Sequence, residues 1–166
     1  MRLAKRYSGK REFVAIESSF HGRTYATLSI TGNSGRKKGG GPYMPGVAFV
    51  PTPYCYRCPL GFDDPATCGL ACAERVREII RLHLSGDVCA FVAEPVLGEG
   101  GIIVPPDGYF KAVKRILDEE GILLLVDEVQ EELPGDHPAV VEGRDVSRRA
   151  AHVHHQGVFP AGEQAP

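Results

Sequence analysis

The chain alternates between two hydrophobic periods over its first 130 residues. Four short apolar runs, residues 12–16, 47–50, 88–93 and 122–126, read as strands. The run at 88–93 is apolar throughout and bounded by Gly86 and Pro95, which suits a strand buried on both faces. The run at 122–126, Ile-Leu-Leu-Leu-Val, is the most apolar in the chain and stops abruptly at Asp127-Glu128. Between these runs the period changes. Cys72, Val76, Ile79, Ile80 and Leu84 recur at helical spacing within residues 69–84, and Phe110, Val113, Ile116 and Leu117 do so within 107–120, where Gly121 ends the helix. Residues 2–8 read as the last turns of a helix stopped by Gly9. Residues 24–30 read as a short helix, and residues 32–46, rich in Gly, Lys and Pro, as a surface loop. A helix beginning at Met1 without a capping residue suggests an internal methionine of a longer parent.

From residue 70 the order is helix, strand, helix, strand with short joints. That order predicts an α/β fold in which a mostly parallel sheet is covered by helices. In such sheets ligands bind beyond the carboxyl ends of the strands. Two strands end in carboxylates at that edge, one at Glu94 and one at Asp127-Glu128. A carboxylate that follows five buried-type residues needs a partner, because an unpaired buried charge costs several kcal/mol or is neutralised by protonation. For Asp127 a cationic ligand atom, a helix cap and an arginine are all adequate partners.

The 166 residues amount to one domain or part of one, and 43% hydrophobic content is ordinary for a globular chain. A net charge of −2 gives no electrostatic reason for a nucleic-acid or anionic-membrane partner. No apolar run approaches the roughly 20 residues of a membrane span, and no apolar stretch of a secretory signal follows the basic N-terminus. Five cysteines, an odd number, fit a reduced, cytoplasmic setting. Four of them, Cys55 and Cys58 at C-x2-C spacing with Cys68 and Cys72 at C-x3-C, allow an alternative in which the chain is a zinc-stabilised interaction module. Cys89 falls in a strand and reads as a small core residue.

Four segments occur in order: Ser19-Phe20-His21-Gly22-Arg23-Thr24, Glu94-Pro95-Val96-Leu97-Gly98-Glu99-Gly100-Gly101, Pro105-Pro106-Asp107-Gly108-Tyr109 and Val126-Asp127-Glu128-Val129-Gln130. This set resembles the class III aminotransferases, enzymes of pyridoxal-phosphate (PLP) fold type I that include 4-aminobutyrate, acetylornithine and alanine–glyoxylate aminotransferases. The resemblance runs over residues 1–130 and implies a partial PLP-binding large domain. It implies transfer of an amino group between an amino acid or ω-amine and a 2-oxo acid, by a homodimeric parent. Relatives that are racemases, decarboxylases or aminomutases leave the reaction type within PLP chemistry open.

The resemblance also implies site roles. Asp127 would pair with the pyridine nitrogen of PLP. Val129 would pack on one ring face, Phe20 would stack on the other, and Gln130 would hydrogen-bond the ring hydroxyl. Glu94 would lie on the substrate side and tune a carboxylate-binding arginine, and His21 would stand behind the aromatic residue. The alternatives are a core aromatic for Phe20 and a helix cap for Glu94. Leu97 departs from the family, which commonly has glutamine there.

After Gln130 the resemblance ends. The family continues with a Gly-rich turn and, about two dozen residues later, the cofactor-binding lysine. Residues 131–166 contain no lysine, isoleucine or tyrosine and show neither period, so an irregular tail outside the family is expected. The codons of His154-His155-Gln156-Gly157 are CAY-CAY-CAR-GGN. Read one base later they allow Ile-Thr-Lys, close to the family's lysine segment. The tail is therefore expected to be translated out of frame, and the chain to lack transaminase activity by itself. A non-functional remnant that folds poorly is a further reading.

Overall fold

The computed structural model describes residues 1–128 and, as backbone, two later strands at 150–154 and 157–160. In chain order the elements are α1 (Arg2–Ser8), β1 (Glu12–Ile16), α2 (Tyr25–Ile30), α3 (Ser34–Lys37), β2 (Val47–Val50), α4 (Ala71–His83), β3 (Val88–Ala93), α5 (Tyr109–Glu119), β4 (Leu123–Asp127), β5 (Ala150–His154) and β6 (Gly157–Pro160). The strands form one sheet in the order β2-β1-β3-β4-β5-β6. The pairs β1–β2, β1–β3, β3–β4 and β4–β5 are parallel, and β6 returns antiparallel to β5.

Side chains alternate across the sheet, so each strand feeds two cores. On β1, Val14 and Ile16 join Val50, Phe91 and Leu124 beneath α4 and α5. Phe13 and Ala15 face the other way and join Ala4 of α1, Ile30 of α2, Val92 and Leu125. Every residue of β3 is buried, as the unbroken apolar run predicts. At about 25 cal/mol per Å² of apolar surface removed from water, this two-sided burial is what drives the chain together. The helical faces also follow the spacing, with one shift. On α5 the buried residues are Tyr109, Val113, Ile116 and Leu117, while Phe110 is half-buried and stacks edge-on against Tyr109, their ring centroids 5.2 Å apart.

Two local differences from the sequence reading stand out. The loop at 32–46 contains the one-turn helix α3, capped by the Asn33 side chain accepting the Gly35 N–H. A single turn is too short to show a hydrophobic period. In the tail, expected to be irregular, β5 and β6 extend the sheet. The free edge of β4 offers a row of backbone N–H and C=O groups, and such an edge pairs with a neighbouring segment through main-chain bonds that need no side-chain pattern.

At the carboxyl edge the chain crosses itself tightly. The Gly32 N–H donates to Ser19 Oγ at 3.2 Å and the Asn33 N–H to the Ser19 carbonyl at 2.9 Å. A Cβ on Gly32 would lie 2.2 Å from the Ile16 carbonyl oxygen, so only glycine fits. This crossing fixes the segment 18–22 over the ends of β1 and β3.

Candidate active site

Asp127 is the last residue of β4, and Glu94 directly follows β3. The parallel register places them side by side on the carboxyl edge: Ala93 is opposite Val126. The segment after β1 brings Phe20 and His21 across to meet them. His21 Nδ1 lies 2.9 Å from Asp127 Oδ2. The His21 side chain is 2% exposed, while that of Asp127 retains 19%. Because an ionised carboxylate can only accept, the proton of this bond belongs on Nδ1. His21 Nε2 is buried and has no hydrogen-bond partner among the described residues. The His21 backbone N–H donates to Thr31 Oγ1 at 3.0 Å, which locks the segment that carries the ring.

Glu94 is buried and accepts the Phe20 N–H on Oε2 at 2.9 Å. Burial raises its pKa above the ordinary glutamate value of 4.5; the Phe20 N–H and the nearby His21 oppose that rise, and the charge of Asp127 adds to it. Beside this group a cavity of about 60 Å³ is lined by His21, Thr27, Ile30, Val92, Leu125, Val126 and Asp127. The site is therefore two carboxylates and an imidazole in a half-buried corner, with an aromatic ring alongside.

That ring, Phe20, is covered by a group that the sequence does not flag. Arg36 Cζ lies 5.6 Å from its centroid. The guanidinium is gripped on both sides by Glu99, Nε to Oε2 at 2.6 Å and one terminal nitrogen to Oε1 at 2.9 Å. Such two-pronged pairs hold a planar cation in a defined orientation. A carboxylate that holds an arginine here is Glu99, while Glu94 accepts the Phe20 backbone N–H. Arg36 and Glu99 are 63 positions apart, with no motif to couple them.

Several expectations move. Leu97, where the family commonly has glutamine, is fully buried in the core and bridges to Ile103. Val129 and Gln130 lie outside the described residues. For the zinc-module alternative, no three His, Cys, Asp or Glu side chains gather as a metal site among the described residues. Cys55, Cys58, Cys68 and Cys72 are free thiols. The phase of α4 turns Cys72 into the core, and burial followed by the neighbouring Cys68 and Cys55 pushes its pKa up to about 11. The Cys68 thiol donates instead to the Pro65 carbonyl. Cys89 is a buried core residue, as expected. No helix among the described residues is long and apolar enough to cross a membrane.

The aminotransferase class-III family model matches residues 1–132. The chain belongs to the class III aminotransferase family. It is 40% identical over 131 residues to a leucine/methionine racemase of Thermococcus litoralis, covering 78% of this chain and 29% of that protein. It is 41% identical over 134 residues to an acetylornithine aminotransferase of Methanosarcina mazei, covering 78% and 28%. Among solved structures, a PLP-bound amine transaminase from an uncultivated Pseudomonas species superposes with a TM-score of 0.71 at 32% identity, covering 77% of this chain and 30% of that one. This class III chain therefore spans less than a third of the length of these relatives, and its four parallel strands β2-β1-β3-β4 match the fold type I sheet of the transaminases.

Proposed function

We propose that Asp127, His21, Phe20 and Glu94 form one wall of a PLP site, in a protein of the family that moves an amino group between an amino acid or ω-amine and a 2-oxo acid. The observation that carries this is the Asp127 carboxylate at the end of β4, backed by His21 at 2.9 Å and still partly exposed. The residues fit the group: a pyridinium nitrogen needs an anionic acceptor held in one orientation, and His21 holds Asp127 so. When bound, the cofactor supplies an electron sink for the pair released at the substrate Cα.

In this reading Asp127 keeps the ring nitrogen protonated and Phe20 covers one ring face. Val129 and Gln130 serve the other face and the ring hydroxyl. Glu94 fixes the Phe20 backbone. All six lysines, at positions 5, 10, 37, 38, 111 and 114, precede Asp127, so the family's lysine that follows it is not in this chain. The cofactor would be held without that lysine, and no transamination by this chain alone is expected. The parent is proposed as a homodimer acting on small-molecule amino donors and 2-oxo acids. A reducing, cytoplasmic setting is supported by five unpaired thiols. Racemisation is a second reading, because a leucine/methionine racemase stands among the relatives at 40% identity.

Pyridoxamine 5′-phosphate tests the wall without any lysine chemistry, because it has no aldehyde. Titrated calorimetrically into the full chain, it is expected to bind, and Asp127→Ala to weaken it at least about tenfold, or ~1.4 kcal/mol. Equal binding by wild type and variant would remove Asp127 from the site.

A further inference from the structure

The imidazole that backs Asp127 has a second nitrogen. His21 Nδ1 lies 2.9 Å from Asp127 Oδ2, but Nε2 of the same ring is buried and has no hydrogen-bond partner among the described residues. The side chain is 2% exposed, so bulk solvent does not reach it. With the ring proton on Nδ1, Nε2 is an acceptor that needs a donor. Buried polar atoms are seldom left so in folded chains, and a water molecule is a common partner where protein supplies none.

There is room for such a donor. The cavity of about 60 Å³ beside the ring is bounded by the apolar side chains of Ile30, Val92 and Leu125 and by two polar residues, Thr27 and Asp127. A water needs roughly 10–15 Å³ of such space and two to four polar partners. Thr27 offers one besides His21. A Cβ built on Gly22, the residue after His21, would lie 3.1 Å from Thr27 Oγ1, so this hydroxyl stands against the segment that carries the ring. It donates to the Thr24 carbonyl at 3.2 Å and lies 2.8 Å from the Thr24 hydroxyl, which still leaves it a lone pair with which to accept.

We propose that this cavity is a hydration site: an ordered water donates one hydrogen to His21 Nε2 and the other to Thr27 Oγ1, and Thr27 is thereby a positioning residue for the His21–Asp127 pair. The water keeps Nε2 an acceptor, which keeps the proton on Nδ1 and aimed at Asp127. Turning the ring would break the bond to Asp127 and the bond to the water together. Two bonds thus hold the imidazole where one would leave it free to turn, and the link runs from α2 through His21 to the end of β4. The site belongs to this chain as it stands and does not depend on the cofactor reading.

The test is nuclear magnetic resonance on the full chain, isotope-labelled at the histidine nitrogens and at the methyl carbons of Ile, Leu and Val, at about pH 8, above the ordinary histidine pKa. H21Q identifies the His21 signals. Long-range proton–nitrogen correlations are expected to put the proton on Nδ1 and to give Nε2 the shift of a hydrogen-bonded acceptor. Cross-relaxation with water protons is expected at the methyl groups of Ile30, Val92 and Leu125. T27S should keep both signatures, and T27V should lose both while retaining the wild-type circular dichroism spectrum. Xenon enters dry apolar cavities and should leave these methyl shifts unchanged. Xenon-induced shifts at the three residues, or a proton on Nε2, in the wild-type chain would overturn the hydration site, whether or not the variants fold. A T27V chain with wild-type water contacts would overturn the role of Thr27. None of these readouts involves pyridoxamine 5′-phosphate, so they are decided separately from the cofactor wall.

Discussion

His21 and Asp127 are 106 positions apart, yet Nδ1 of one stands 2.9 Å from Oδ2 of the other. The contact ties the segment after β1 to the end of β4 across the intervening strand β3. Removing the imidazole leaves a partly buried carboxylate without its hydrogen-bond donor, at a cost of about 1–3 kcal/mol. His21→Ala is therefore expected to lower the unfolding free energy by that amount, read as a lower urea midpoint. It should also weaken pyridoxamine 5′-phosphate binding, which Asp127 is then no longer oriented to make. A variant with the wild-type midpoint and affinity would show that the pair neither holds the fold nor positions the acid.

Glu94 makes stability depend on pH. Its folded pKa is raised above 4.5, chiefly by burial. The folded chain thus favours the protonated form. The contribution is present in full below the unfolded value and is lost as pH rises through the folded one. Glutamine keeps a carbonyl acceptor for the Phe20 N–H and cannot ionise. The melting temperature of wild type relative to Glu94→Gln should therefore fall as pH is raised from 4.5 toward neutrality. A difference that stays flat, or grows in favour of wild type, would contradict the assignment.

Gly32 is held to glycine by backbone rather than by side chains. A Cβ there meets the Ile16 carbonyl oxygen at 2.2 Å, Glu17 Cα at 2.8 Å and the Ser18 nitrogen at 2.8 Å, none of which can rotate away. Gly32→Ala should cost about 1–3 kcal/mol and displace Ser19, whose hydroxyl and carbonyl both bind this crossing. Gly9, where an added Cβ meets nothing within 4 Å, serves as a comparison for the steric part. Its own φ of 71° means that Gly9→Ala reports only the backbone penalty.

Tyr109 carries a buried hydroxyl with no hydrogen-bond partner among the described residues, and burial strongly raises its pKa. The ring itself fills the core under α5. Removing only the oxygen spares the ring packing and ends the desolvation cost, so Tyr109→Phe is expected to be neutral or to stabilise by up to about 1 kcal/mol. A loss of stability measured by urea unfolding would mean that the hydroxyl has a partner.

The tail yields a prediction at the level of DNA. The family match ends at residue 132. Read one base later, the codons for residues 131–166 should spell the family's continuation, with a lysine at the third codon of the His154-His155-Gln156 run. Sequencing the coding strand decides it; an alternative frame without that lysine rules the frame change out.

Much of this architecture is legible along the chain because strand burial writes itself into composition. Residues 88–93 are apolar at every position since both sheet faces are covered, and β4 ends where Asp127 begins. Helix faces are legible to within one residue: the spacing marks Phe110, whereas the structure buries Tyr109, because a helix can rotate slightly to give the larger buried share to either of two adjacent aromatics. The one-turn α3 left no trace, since four residues are less than any hydrophobic period needs.

The sequence by itself determined the elements, the parallel order and the two carboxylates at the strand ends, because these follow from local period and from the cost of burying charge. Tertiary structure alone decided who meets whom at that edge. It put His21 rather than an arginine on Asp127, gave Glu94 to the Phe20 backbone, and placed Arg36 over Phe20 in the grip of Glu99. It also buried Cys72 in the core and set Lys37 Nζ 4.7 Å from two ring centroids. Each of these depends on distances closed across dozens of residues by sheet register and loop crossing, and no local pattern of side chains encodes such a distance.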